Sequence, residues 1–329
     1  MTPQKAPRIE KEFEKLKETV LSGNYFFLAP HLNPDGDAIG SMLAFYSLLK
    51  RLGKKVYLFS QDAPPSNLYF LKHLKRIKRT LPKRVPSGTV AVLFECSVPK
   101  RAGEISSVLS KCSKIVNIDH HKTAEYYGDI NIIDSLSSST SEIIYRFFYD
   151  IKLKIHRDEA ACLYTGIVTD TGRFHFPATS PRTHEIAARL LQEGFDFSKI
   201  NDIIYATKPY KSIKILGRAL ESLKLLKDSE VAVMEIKASD FSYFKASNEH
   251  TENIINYGMM IEKVKVCVLF KEESGRVIAT FRSKGNTDVS KIASVFGGGG
   301  HKNASGCKLA LPLEKAEQKV LGEIFKRLK

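Results

Sequence analysis

Between residues 25 and 172, short apolar runs alternate with longer segments whose apolar positions recur at helical spacing. The runs 25–29, 55–60, 89–94 and 114–118, rich in Val, Ile and Phe, predict strands. Residues 38–52 predict a helix ended by Gly53. Ser139-Thr140-Ser141-Glu142 has the form of a capping box opening a helix over 142–149. A further helix covers 158–169 and leads into Asp170, and Ser180-Pro181 opens one that Gly194 closes. Strands alternating with helices argue a doubly wound, mostly parallel α/β sheet, with functional groups gathered at the carboxyl ends of its strands. The pattern loosens over 195–210, and a helix over 211–227 bridges to a second, smaller α/β unit. That unit reads as strands 231–236, 264–270 and 276–282 and helices 238–245 and 288–296, with a turn at 272–275 that makes a hairpin. The expected organisation is a domain over 1–194, a helical linker over 195–216 and a substrate-binding domain over 217–329, with the active site in the cleft.

The bulk properties narrow this picture. At 329 residues the chain can form two cores. No apolar run has the length of a membrane span, and residues 1–17 are charged throughout, so neither a membrane partner nor a secretory signal is expected. The five scattered cysteines form no C-x-x-C pair, which fits reduced, buried thiols in a cytoplasmic protein. The net charge of +15 fits an anionic partner, although a lysine-rich solvated surface gives the same count. Its densest block, residues 72–84, carries apolar residues at 71, 74, 77 and 81 and predicts an amphipathic helix with a basic face.

Candidate chemistry lies where the strand-like runs end. His31-Leu32-Asn33-Pro34-Asp35-Gly36-Asp37 follows the first run, and Asp119-His120-His121 follows the fourth. Asp and His supply oxygen and nitrogen ligands, and carboxylates packed together repel one another unless a cation sits among them. Asp35 and Asp37, flanking Gly36, can each serve a different metal, and Asp170 adds another carboxylate. Adjacent metals about 3.5–4 Å apart share a bridging carboxylate or water, and the water becomes a hydroxide that attacks phosphorus.

These residues resemble the motifs of the DHH phosphoesterase superfamily, named for its Asp-His-His triplet. The first motif stands here as His31 to Ser41, the third as Asn117 to Lys122 and the fourth as Thr165 to Gly172. Gly297-Gly298-Gly299-Gly300-His301-Lys302-Asn303-Ala304-Ser305-Gly306 is similar to the signature of the DHH-associated substrate domain. The resemblance implies two divalent metals, manganese above all. His31 and Asp35 would hold one, and Asp37, His120 and Asp170 the other. It further implies that Asp119 orients its neighbours and that His121 contacts phosphate or assists proton transfer, with Arg101 and Gly103 in the tail of the second motif. That motif normally ends a strand with an Asp bridging both metals; here Glu95 stands there, one methylene longer.

Backbone amides of Gly298, Gly299 and Gly300 can approach an anion closely, although a glycine run also makes a plain flexible loop. His301 and the Arg282-Ser283-Lys284 segment tilt the choice toward substrate binding, with Arg282 clamping a terminal phosphate through its planar fork. Within the superfamily, a bare two-domain chain most resembles the nanoRNase/pAp phosphatases. The expected substrates are short RNA or DNA oligonucleotides and 3′-phosphoadenosine 5′-phosphate (pAp). Alternatives are a soluble linear or cyclic dinucleotide phosphodiesterase, a RecJ-type DNA exonuclease, or a nucleotide-binding regulator whose turnover Glu95 has weakened. The oligomeric state, a homodimer among the options, is left open by the sequence.

Overall fold

The computed structural model describes residues 7–273 and 275–328; residues 1–6 of the charged amino-terminal stretch and Ser274 of the expected 272–275 turn lie outside them. The chain divides into two compact units, residues 1–206 and 207–329.

The first unit is built on five parallel strands: β1 (Tyr25–Pro30), β2 (Lys55–Leu58), β3 (Thr89–Phe94), β4 (Lys114–Asp119) and β5 (Ile130–Ile133), in the order β2-β1-β3-β4-β5. Every residue of β3 is buried, as a central strand covered on both faces requires. One face packs against α1 (Pro7–Ser22), α2 (Gly36–Arg51), α4 (Thr140–Asp150), α5 (Arg157–Asp170) and α6 (Pro181–Leu191). The other face carries the short α3 (Ser106–Leu109) and the connecting segments around it. A short α7 (Phe197–Asn201) runs into a π-helical turn, Asp202–Ala206. α2 and α5 approach closely because glycines face the contact: a Cβ on Gly36 would overlap Thr169, and one on Gly40 would overlap the Cys162 carbonyl.

The basic block 72–84 is not a helix. It holds one 3₁₀ turn, Leu74–Arg76, preceded by His73 in the left-handed region (φ 70°), and Lys78 then pairs with Phe59. Leu71 and Leu74 are pulled into the core of the unit, and the chain follows them rather than its helical periodicity. The second expected strand stops at Leu58, and Phe59 beyond it pairs with Lys78. The capping box at Ser139 is half formed: its hydroxyl accepts from the Glu142 amide, but the Glu142 carboxylate turns to Ser138 instead.

The second unit is a six-stranded mixed sheet: β6 (Lys224–Leu226), β7 (Val231–Ile236), β8 (Val266–Glu273), β9 (Arg276–Ser283), β10 (Gly299–His301) and β11 (Ala304–Leu309), ordered β10-β11-β9-β8-β7-β6. One face is covered by α11 (Val289–Val295) and α12 (Leu313–Arg327). The other is covered over β7 and β8 by α8 (Tyr210–Glu221), α9 (Ala238–Tyr243) and α10 (Ile255–Met259). The helix expected over 211–227 ends at Glu221. The Ser222 hydroxyl bonds both the carbonyl and the amide of Glu235, which turns residues 224–226 into an edge strand beside β7. The five cysteines are unpaired, with Cys112 half-buried and the others buried. Among the described residues, no helix is long and apolar enough to cross a membrane.

Candidate metal centre

The carboxyl ends of β1, β3 and β4 and the facing ends of α2 and α5 converge on one cluster of carboxylates and imidazoles. His31 follows β1 directly. Its Nδ1 lies 2.7 Å from the Leu32 carbonyl, which can only accept, so Nδ1 carries the hydrogen and Nε2 presents its lone pair. That Nε2 stands 3.8 Å from Asp35 Oδ2 and 3.6 Å from Glu95 Oε2. Asp35 caps α2, its Oδ1 accepting from the amides of Asp37 and Ala38 at 3.0 Å, which leaves Oδ2 facing His31.

Asp37 is buried and aimed across the unit by another helix. Its oxygens accept from the first two amides of α4, Thr140 (2.5 Å) and Ser141 (2.9 Å), where orphan N–H groups and the helix dipole favour an anion. Glu95, just beyond β3, adopts the left-handed conformation (φ 57°), with its amide bonded to the Ile118 carbonyl at 2.9 Å. Such backbone costs a non-glycine residue roughly 1–2 kcal/mol and persists where the surroundings over-determine it. From β4, His120 Nε2 reaches to 3.3 Å from Asp170 Oδ2 at the end of α5. His121 Nδ1 lies 2.7 Å from Asp119 Oδ1, which also accepts the His121 amide at 2.8 Å.

Two donor groups result, His31–Asp35–Glu95 and Asp37–Glu95–His120; within each, ligand atoms lie within 4.8 Å of one another. Glu95 belongs to both. Among the described residues, its carboxylate oxygens and Nε2 of His120 are buried without a hydrogen-bond partner. A buried carboxylate with no donor is unfavourable unless a cation or proton neutralises it. Burial, and then the charge of Asp37, push the Glu95 carboxyl well above the usual carboxylate range. Burial, followed by Asp37 and Asp35, lifts Asp170 to about 8. The donor set of imidazole nitrogens and carboxylates therefore fits divalent metal ions of the manganese–zinc range. His121 is raised above its ordinary value chiefly by its hydrogen bond to Asp119 and despite burial, while Arg101 opposes the rise. The Arg101 carbonyl accepts from the Leu32 amide at 2.6 Å and ties the loop after β3 to the one after β1.

Nothing in the sequence marks the amides of Thr140 and Ser141 as the support for Asp37, or Gly166 as the residue whose missing Cβ leaves room for its carboxylate. The Ser139–Glu142 run reads as a helix cap, and only the folded chain directs that cap at a carboxylate on another helix.

In the second unit the glycine run is not a free loop. Gly299–His301 form β10, an edge strand paired with β11, and Gly298 and Gly300 approach its backbone too closely for any Cβ. Arg282 and His301 are both register partners of Ala304, from opposite sides, so the three stand in one row on one sheet face. Among the described residues Arg282 donates only to the neighbouring Phe281 carbonyl (3.2 Å), and His301 is exposed. The Ser283 hydroxyl is engaged, donating to the Thr287 carbonyl at 2.6 Å and accepting from Asn303 at 2.9 Å.

Comparison with known proteins agrees with this architecture. The DHH family N-terminal domain matches residues 26–167, and the DHHA1 domain matches residues 228–329. The chain is 27% identical over 303 residues to the bifunctional oligoribonuclease and PAP phosphatase NrnA of Thermus thermophilus, covering 92% of this chain and 90% of the relative. It is 30% identical to the probable protein of the same name from Streptococcus mutans, covering 84% and 86%. The crystal structure of an exopolyphosphatase-related protein from Bacteroides fragilis superimposes with a TM-score of 0.85 at 26% identity, covering 96% of each chain.

Proposed function

We propose, from the premise that this chain belongs to the DHH family and is a phosphoesterase, that it hydrolyses short oligoribonucleotides to mononucleotides and pAp to AMP with two divalent ions, manganese by preference. One observation carries the reading: Glu95 is common to both donor groups, and its oxygens are buried without partners. His31 and Asp35 would hold one ion and Asp37, His120 and Asp170 the other, with Glu95 available to both. Ions bound there supply positive charge and Lewis acidity to a phosphate.

The chain's own groups do the rest. Asp119 holds the Nδ1 hydrogen of His121 and favours the protonated ring, so that Nε2–H donates to a phosphate oxygen or the leaving oxygen. Arg101 adds a second cation near this ring. In the second unit Arg282 and His301 bind a remote phosphate, with the edge-strand glycines 298–300 and Ser283 shaping the backbone around them. The substrate classes follow the names carried by the relatives.

The experiment is a panel of RNA and DNA from dinucleotides upward, pAp and cyclic dinucleotides, each with manganese and with chelator. Turnover of RNA dinucleotides and pAp that chelator abolishes is expected. Preference for cyclic dinucleotides or long DNA overturns the substrate assignment, and binding without hydrolysis overturns the enzymatic one.

A further inference from the structure

The strands of the first unit have a second end. The metal-type cluster lies beyond their last residues, and a cavity of about 210 Å³ opens beside their first, on the face away from the long helices. Tyr25 of β1 pairs with Lys55 of β2 and Thr89 of β3, whereas the other end of the same ladder pairs Pro30 with Phe94, next to Glu95. At about 3.3 Å per residue the two ends are roughly 17 Å apart.

The cavity wall is aromatic and fixed. The rings of Phe27 and Tyr57 stack at 6.1 Å with 13° between their planes, and the Tyr57 hydroxyl donates to the Thr80 carbonyl at 2.8 Å. Tyr25 continues this wall, with Lys55 Nζ 5.3 Å from its ring centroid. Facing them is the 82–86 segment, whose two prolines restrict its backbone. Arg84, on that segment, is exposed and makes no hydrogen bond or ion pair among the described residues. Among the described residues, no Asp or Glu lines the cavity. Two cations without a carboxylate beside a rigid aromatic wall complement a ligand that is planar at one end and anionic at the other. The volume falls below the roughly 300–1,000 Å³ of sites for larger ligands, so it suits one ring system.

We propose that this cavity is a second nucleotide site, taking one nucleoside monophosphate unit with its base against Tyr25 and Tyr57 and its phosphate on Lys55 and Arg84. The unit is either a free mononucleotide or one residue of an RNA strand. Neither cation takes part in the proposed reaction.

Photo-crosslinking tests this on the full chain in chelator, using 8-azidoadenosine monophosphate and mapping labelled peptides by mass spectrometry. Label is expected on Tyr25, Tyr57 or residues 82–86, with AMP competing at least ten-fold better than adenosine or inorganic phosphate. The exposed-charge double variant Lys55→Glu/Arg84→Glu is expected to lose labelling at least ten-fold while keeping the wild-type thermal transition. Competition by a pentaribonucleotide as effective as that by AMP assigns the site to an RNA strand, and competition by AMP alone assigns it to the free nucleotide. The proposal is overturned by label confined to other peptides, by label undiminished in the double variant, or by phosphate competing as well as AMP. This readout needs neither metal nor turnover, so it is decided independently of the reaction proposed above.

Discussion

Gly166 on α5 leaves the space in which the Asp37 carboxylate meets α4: a Cβ at that glycine would lie 2.5 Å from Asp37 Oδ1 and overlap Ser141 Oγ. Asp37 is thus placed by three helices, its own and two that meet only in the folded unit. Gly166→Ala forces either Asp37 or α4 to move. Overpacking of this kind costs about 1–3 kcal/mol. We expect a lowered thermal transition together with weaker manganese binding, measured by calorimetry and metal titration on the same sample. A variant with wild-type metal affinity would show that the contact does not position the carboxylate.

Glu95→Gln separates function from stability. It removes the charge shared by the two donor groups, and turnover should fall by more than about 100-fold, beyond the effect of residues that only orient a ligand. The metal-free variant should nevertheless melt higher than wild type at pH 8, because one carboxyl is withdrawn from a crowd that includes Asp37, Asp35 and Asp170. Glu95→Asp keeps the charge and should retain measurable turnover. Unchanged activity in Glu95→Gln excludes the bridging role.

The same crowding sets a pH dependence for the metal-free protein. An Asp in the unfolded chain titrates near 3.9; Asp170 in the fold is lifted to about 8. Between these values the folded state holds a proton that the unfolded chain releases, so stability falls as pH rises through the window and levels off above it. Glu95, pushed well above the carboxylate range, and His121, also raised, act in the same direction. The depressed carboxyls of Asp119 and Asp134 have made their contribution by pH 5 and leave this window unaffected. Melting curves in chelator from pH 5 to 9 should show the decline, Asp170→Asn should lessen it, and saturating manganese should reverse it as metal displaces the protons. A flat profile in chelator contradicts the crowding.

Arg282→Ala and His301→Ala probe the proposed phosphate grip of the second unit. Each should lower kcat/KM for dinucleotides at least about ten-fold, the loss of one charge-assisted contact of roughly 1.5–3 kcal/mol. Manganese affinity should be unchanged, since neither is assigned to a metal. Steady-state kinetics and metal titration on both variants decide the point, with full activity in both removing these residues from the site.

Much of this protein is written locally. The apolar runs at 25–29, 89–94 and 114–118 became β1, β3 and β4 because fully buried parallel strands need continuous hydrophobic sequence, and Ser180, Pro181 and Gly194 bounded α6 through their own backbone preferences. The donor types at the strand ends were equally legible, since a cluster of Asp and His has few other uses. Folding decided what depends on partners distant in the chain. Residues 72–84 have helical periodicity, yet Leu71, Leu74 and Ile77 pack into one core and Leu81 against the other, which one helical face cannot do, and the segment turns instead. Residues 224–226 became a strand through hydrogen bonds between Ser222 and Glu235. The glycine run became an edge strand because β11 lies against it. The orientation of Asp37 depends on amides more than a hundred residues away, and that distance in sequence is why residue pattern names a candidate donor but cannot aim it.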